Sequence, residues 1–235
     1  MKTANVELGF LALPEPARAP GVVMIHDVWG LSDHTRDYAQ QLAREGFAVL
    51  AIDLYRRDGA RPSDPGAWMR ALPDPVVLAD LGAASRFLAT HPGTNGRVGV
   101  LGFCMGGMYA LMAGCSDLGF AASVPFYGLL SHAHGLLHDP AGRDLARKPR
   151  EPIAMASELR CPLLAFFGDQ DQFVPQSDVA ALERELARAS ERSEVVVVAG
   201  AGHAFMNDTR ADAYRPEDAA RAWQRTVAFL RANLS

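Results

Sequence analysis

The chain has 235 residues, 49% hydrophobic and 21% charged, with a formal net charge of −4. This is ordinary globular composition, outside the disordered class, and the length suits a single α/β domain over residues 1–235. The acidic balance argues against nucleic acid or an anionic membrane as partner, so a small molecule is expected. Three cysteines, Cys104, Cys115 and Cys161, are an odd number in a chain too long to need a disulfide scaffold. They read as free thiols in a reducing compartment. Residues 1–7 carry no apolar signal segment, and a cytoplasmic location is the expectation. The sequence leaves monomer and homodimer both open.

Strand and helix signals alternate along the chain. Val22-Val23-Met24-Ile25-His26 is a compact apolar run, typical of a strand buried on both faces. Residues 33–45 read as a helix, with Ser32 or Asp33 as N-cap and Gly46 just past the end. A strand at 47–52 ends at Asp53-Leu54-Tyr55. Residues 56–73, rich in Arg, Pro, Gly and Asp, read as a loop with one helical turn near Trp68. Helical spacing of Val77, Leu81, Ala84, Phe87 and Leu88 places a helix at 74–90. Strands follow at 97–103, 120–126, 161–167 and 195–199, with helices at 105–115, 176–189 and 216–233; Pro216 suits a first helical turn. Residues 98–115 are 18 in a row without a charge, long enough to span a membrane. Their five glycines favour a buried strand followed by a buried helix. Such βαβα repetition predicts a mainly parallel central sheet flanked by helices on both faces. Residues 128–160 break the pattern and read as a lid or insertion loop over the carboxyl edge of the sheet, where α/β proteins bind ligands.

The chemistry centres on Gly102-Phe103-Cys104-Met105-Gly106, a Gly-x-Cys-x-Gly set directly between a predicted strand and a predicted helix. A nucleophile on a strained strand-to-helix turn stands above the sheet, and small residues two before and two after let the backbones approach. The helix N-terminus favours an anion such as a thiolate, and the Met105 N–H is a natural oxyanion donor. The plain alternative is a buried, inert cysteine in a glycine-rich contact. Chain order argues for catalysis. An α/β-hydrolase fold presents nucleophile, acid and histidine in that order. After Cys104 come Gly168-Asp169-Gln170-Asp171 past one strand and Gly202-His203-Ala204-Phe205 past the last.

With these motifs the chain resembles the dienelactone hydrolase (carboxymethylenebutenolidase) family. The match runs from His26-Asp27-Val28-Trp29-Gly30 through Asp53-Leu54-Tyr55, the Cys104 turn, Gly168 to Pro175 and Gly202-His203-Ala204-Phe205, as far as Trp223. The resemblance implies an α/β-hydrolase fold and a Cys104–His203–Asp171 triad, preferring Asp171 to Asp169. It implies Val28 as second oxyanion N–H and Asp27 as the acid beside the nucleophile. Trp29, Arg57, Tyr127, Phe205 and Asn207 fall to the substrate pocket. In the family two arginines hold a substrate carboxylate. Arg57 matches one, but Asn207 stands at the other, and Asn cannot supply a charged bidentate clamp.

The expected reaction is hydrolysis of an ester or lactone through a Cys104 thioester, with no metal or organic cofactor. A broad carboxylesterase acting on neutral esters is the first rival, favoured by Asn207. A non-catalytic ligand-binding or thiol-sensing protein is the second. His132, His134 and His138 have a spacing that could bind zinc, but no motif sets a water-activating carboxylate there, and a polar lid loop is the preferred reading.

Overall fold

The structure, a computed structural model, describes residues 1–15, 18–57 and 63–235. Its sheet has eight strands among these residues: β1 (Lys2–Val6), β2 (Gly9–Leu13), β3 (Ala19–Ile25), β4 (Ala48–Ile52), β5 (Thr94–Phe103), β6 (Ala122–Phe126), β7 (Leu163–Gly168) and β8 (Ser193–Val198). The spatial order is β1-β2-β4-β3-β5-β6-β7-β8. β1, β2 and β4 pair antiparallel, and every pair from β4 through β3 to β8 is parallel. The expected α/β-hydrolase architecture is present. The β1–β2 hairpin leaves little trace in the sequence: Lys2–Val6 is short and largely exposed, so it carries little apolar signal of its own. Its neighbour β2 is set by pairing with β4, Gly9 opposite Ile52, across more than forty residues of chain.

Side-chain alternation splits the core in two. Val23, Ile25, Leu50 and Ile52 face one layer, and Val22, Met24, Val49 and Ala51 the other, all fully buried. Each of the Val, Ile, Leu and Met side chains among them contributes roughly 1.5–3 kcal/mol of transfer free energy. The helices are α1 (Asp33–Arg44), α2 (Pro65–Ala71), α3 (Asp74–Thr90), α4 (Met105–Gly114), α5 (Pro152–Met155), α6 (Gln176–Leu186) and α7 (Pro216–Leu234). The first layer takes α3, α4 and α6; the second takes α1 and α7. Ser32 caps α1 by accepting the Thr35 N–H, and Gly46 follows its end at φ 97°. α2 is longer than the single turn expected, because Asp64 accepts the Ala67 N–H and Pro65 occupies the first turn. α4 is buried on all sides, which accounts for the uncharged stretch. Among the described residues no helix is long and apolar enough to cross a membrane.

Candidate active site

The turn from β5 into α4 holds Cys104 at φ 55°, ψ −115°, a left-handed conformation that costs a non-glycine residue of order 1–3 kcal/mol. Its N–H donates to Phe126 O at 3.0 Å, and its carbonyl accepts from Met108 N at 3.0 Å. The flanking glycines are required by close approach. A Cβ on Gly102 would lie 2.1 Å from Gly106 O, and one on Gly106 would lie 2.3 Å from Ile25 O. α4 therefore starts hard against the ends of β5 and β3, with Cys104 at its N-terminus.

Beyond β7, Asp171 turns inward. Its Oδ1 accepts the Phe173 and Val174 N–H groups at 2.8 and 3.3 Å, and its Oδ2 lies 2.7 Å from His203 Nδ1. Asp169 has a different partner, the Gly200 N–H at 2.7 Å, and ties the β7 loop to the β8 loop. The geometry thus separates two acids that are two residues apart in sequence. His203 follows β8 on a loop pinned to α1, where the Tyr38 hydroxyl donates to Met206 O at 2.5 Å. Its ring packs edge-on against Tyr127 and Phe173, centroids 5.1 and 5.0 Å away. Nε2 is buried without a nitrogen or oxygen partner. Burial disfavours the imidazolium, but the Cys104 sulfur and the Asp171 carboxylate outweigh it and hold the His203 pKa up to about 10.

Cys104 and His203 share a cavity of about 150 Å³ with Asp27, Val28, Trp29, Phe103, Tyr127, Leu136, Phe173, Asn207 and Arg210. Cys104 is 6% exposed. Asp27 lies on this wall with its Oδ1 accepting the Trp29 N–H at 2.9 Å. Among the described residues the N–H groups of Val28 and Met105 meet no acceptor. Tyr127 lines the cavity at φ 39°, its phenol pushed well above its ordinary pKa by burial. Phe205 stands behind it, ring centroids 5.4 Å apart, outside the cavity lining. Asn207 is on the wall, but its Oδ1 is occupied by the Thr209 N–H and hydroxyl at 3.0 and 2.7 Å. Arg57 is engaged elsewhere: with Arg56 it forks onto Asp80, at 2.6 and 2.7 Å, and it does not line the cavity.

Arg210 and His34 were not singled out by sequence. Arg210 lies seven residues past His203 and reaches the cavity because its loop folds back, its N–H donating to Asn207 O. Its side chain pairs with Asp212 at 2.6 Å, itself 69% exposed. In the 128–160 segment, Leu136 forms part of the cavity wall, and Arg70 of α2 donates to its carbonyl at 3.1 Å. The histidines there diverge: His132 binds Glu151 at 2.9 Å, His134 binds Asp178 at 2.9 Å, and His138 is exposed. No cluster of three His, Cys, Asp or Glu able to hold a metal occurs among the described residues.

The sequence model of the dienelactone hydrolase family matches residues 8–234. The chain belongs to this family. It is 33% identical over 233 residues to a Bradyrhizobium sp. protein provisionally named 2-oxo-3-(5-oxofuran-2-ylidene)propanoate lactonase, covering 97% of this chain and 90% of that one. It is 29% identical over 218 residues to an Escherichia coli (strain K12) protein provisionally named carboxymethylenebutenolidase, covering 90% and 76%. A crystal structure of a provisionally named dienelactone hydrolase from Klebsiella pneumoniae superposes with a TM-score of 0.82 at 30% identity, covering 94% and 91%. As a member of the family the chain is a hydrolase acting on carboxylic ester or lactone bonds.

Proposed function

We propose that the chain hydrolyses small carboxylic esters or lactones with a Cys104–His203–Asp171 triad through a thioester intermediate. The observation that carries this is the strained Cys104 turn sharing one cavity with a His203 ring held by Asp171 at 2.7 Å. In this reading the reacting form is a Cys104 thiolate beside a His203 imidazolium, a form that the helix N-terminus at Cys104 favours. The Cys104 sulfur attacks the carbonyl carbon, and its oxygen becomes an oxyanion facing the Val28 and Met105 N–H groups. Each such donor is worth roughly 3–4 kcal/mol. Collapse breaks the carbon–oxygen bond, and the leaving alkoxide takes the proton from His203 Nε2. His203 then removes a proton from water, whose oxygen attacks the thioester and expels the Cys104 thiolate, giving acid and alcohol. Asp171 holds the Nδ1 proton and steadies the imidazolium throughout.

On the substrate side, Arg210 is the guanidinium that lines the mainly apolar wall among the described residues, whereas Asn207 carries no charge and Arg57 is held by Asp80. Its ion pair with exposed Asp212 contributes little in water, so exchanging that partner for a substrate carboxylate is inexpensive. We therefore read the preferred substrate as an ester or lactone with an anionic group near the scissile bond, in line with the carboxylate in the name of the Bradyrhizobium relative. The apolar wall also supports turnover of neutral esters. We further take residues 1–235 as one domain working in a reducing, cytoplasmic setting, which the three free cysteines support.

The test is Cys104→Ala and Cys104→Ser against p-nitrophenyl acetate, with mass spectrometry of the quenched enzyme. The wild type gains one acyl group on Cys104, and Cys104→Ala loses turnover while keeping its circular dichroism spectrum. Undiminished turnover by folded Cys104→Ala would sink the proposal.

A further inference from the structure

His26 and the Asp53-Leu54-Tyr55 segment take no part in the reaction as written, yet they converge on the loop that carries Val28. His26 is fully buried at the end of β3, and Tyr55 is 4% exposed beyond the end of β4. The His26 Nε2 accepts the Leu54 N–H at 3.1 Å. A ring nitrogen that accepts carries no proton, so the proton of the neutral ring sits on Nδ1 and is donated to Asp27 O at 2.5 Å. Burial lowers the His26 pKa, in keeping with the neutral ring. The Tyr55 hydroxyl donates to Val28 O at 2.9 Å.

Those two carbonyls belong to the peptide units on either side of the Val28 Cα. A trans peptide is planar, so fixing its C=O fixes the opposite direction of its N–H. The Asp27–Val28 unit is gripped at its oxygen by His26 and, more loosely, by the Gly30 N–H at 3.3 Å. The Val28–Trp29 unit is gripped at its oxygen by Tyr55 and at its N–H by Asp27 Oδ1 at 2.9 Å. Three of the four polar groups are therefore engaged, and the fourth, the Val28 N–H, meets no acceptor among the described residues. A buried donor without a partner is uncommon and asks for a reason. Here the donor belongs to a residue on the wall of the Cys104 cavity.

We propose that His26 and Tyr55 are positioning residues that lock the two peptides around Val28, holding its N–H ready for the oxyanion formed at Cys104. This rests on the reading of Val28 as an oxyanion donor. The lock has a physical purpose: a donor that must reorient during the reaction loses much of its stabilising effect, whereas one already oriented acts at once. It also ties the ends of β3 and β4 to one catalytic atom, which gives the Asp-Leu-Tyr segment a role.

Tyr55→Phe is the sharpest test, because it deletes one oxygen and keeps the ring packed against His26 and Trp68. Its kcat for p-nitrophenyl acetate should fall about 10-fold with KM changed less than about twofold. Affinity for butanal, which adds to the Cys104 thiolate as a tetrahedral hemithioacetal, should weaken by the same factor. His26→Asn keeps a donor near the Nδ1 position and should retain most activity, while His26→Leu should lose about 100-fold. Tyr55→Phe with unchanged kcat and butanal affinity, or with the loss confined to KM or to thermal stability, overturns the proposal. Cys104→Ala run alongside separates the two claims. If it is inactive while Tyr55→Phe behaves as wild type, only the lock is wrong. If Cys104→Ala remains active, the underlying mechanism falls and the lock falls with it.

Discussion

Replacing Asp171 by Asn changes one charge and leaves the shape of the site intact. The Asn oxygen can still accept the Phe173 and Val174 N–H groups, so the turn after β7 keeps its caps. What changes is the contact at 2.7 Å from His203 Nδ1, where a carboxylate oxygen becomes an NH2 group. Two donors cannot share that contact, so the imidazole must move its proton to Nε2, the nitrogen that has to take protons from the reacting groups. A charge-assisted hydrogen bond is worth about 1.5–3 kcal/mol, so a thermal shift of a few degrees is expected. The catalytic loss is larger: a wrong tautomer in a comparable triad costs about 10³–10⁴ in rate, or about 4–5.5 kcal/mol. The assay is kcat/KM for p-nitrophenyl acetate beside a circular dichroism melt. Asp169→Asn is the control, since its Oδ1 can keep the Gly200 contact, and it should stay within about threefold of wild type. A folded Asp171→Asn enzyme within tenfold of wild type would show that Asp171 does not set the His203 tautomer.

The His203 pKa is raised from the usual 6.5 to about 10, so its stabilising effect is complete below pH 6.5 and is lost as pH rises through about 10. kcat/KM should therefore show an alkaline limb near pH 10. In Cys104→Ala, NMR should show the His203 ring titrating at lower pH, and an unchanged titration would exclude the ion pair. Arg210→Gln should lower the ratio of kcat/KM for a carboxylate-bearing ester over its neutral analogue by about tenfold or more, as expected for a charged hydrogen bond. An unchanged ratio would remove Arg210 from substrate selection. Lys148 is buried with its Nζ 2.6 Å from Asp74 Oδ1, and Tyr109 donates to the same oxygen at 2.8 Å. Lys148→Met should cost about 3–5 kcal/mol in urea unfolding by stranding the Asp74 charge, and a loss below about 1 kcal/mol would contradict that.

The alternation of apolar strands and amphipathic helices, the cysteine turn with its glycines, and the chain order of Cys104, Asp171 and His203 are all legible in the amino-acid sequence. These are local signals. Hydrophobic period and turn chemistry act over a few residues, and the β5–α4 junction needs Gly102 and Gly106 whatever else the chain does. Contacts between distant segments belonged to the tertiary structure. Lys2–Val6 became a strand only because β2 pairs with β4 and offers it an edge. The resemblance preferred Asp171, but spacing alone could not separate it from Asp169, because the 2.7 Å contact with His203 depends on how the β7 and β8 loops meet. Nothing in the sequence marks Asp80 on α3 as a partner of Arg57, and Arg210 joins the cavity wall only through the fold of its loop. Charge carries no periodicity that reports its partner, so pairing is decided where the chain brings side chains together. The Cys104 turn is legible in the sequence, but what surrounds its sulfur is decided by packing.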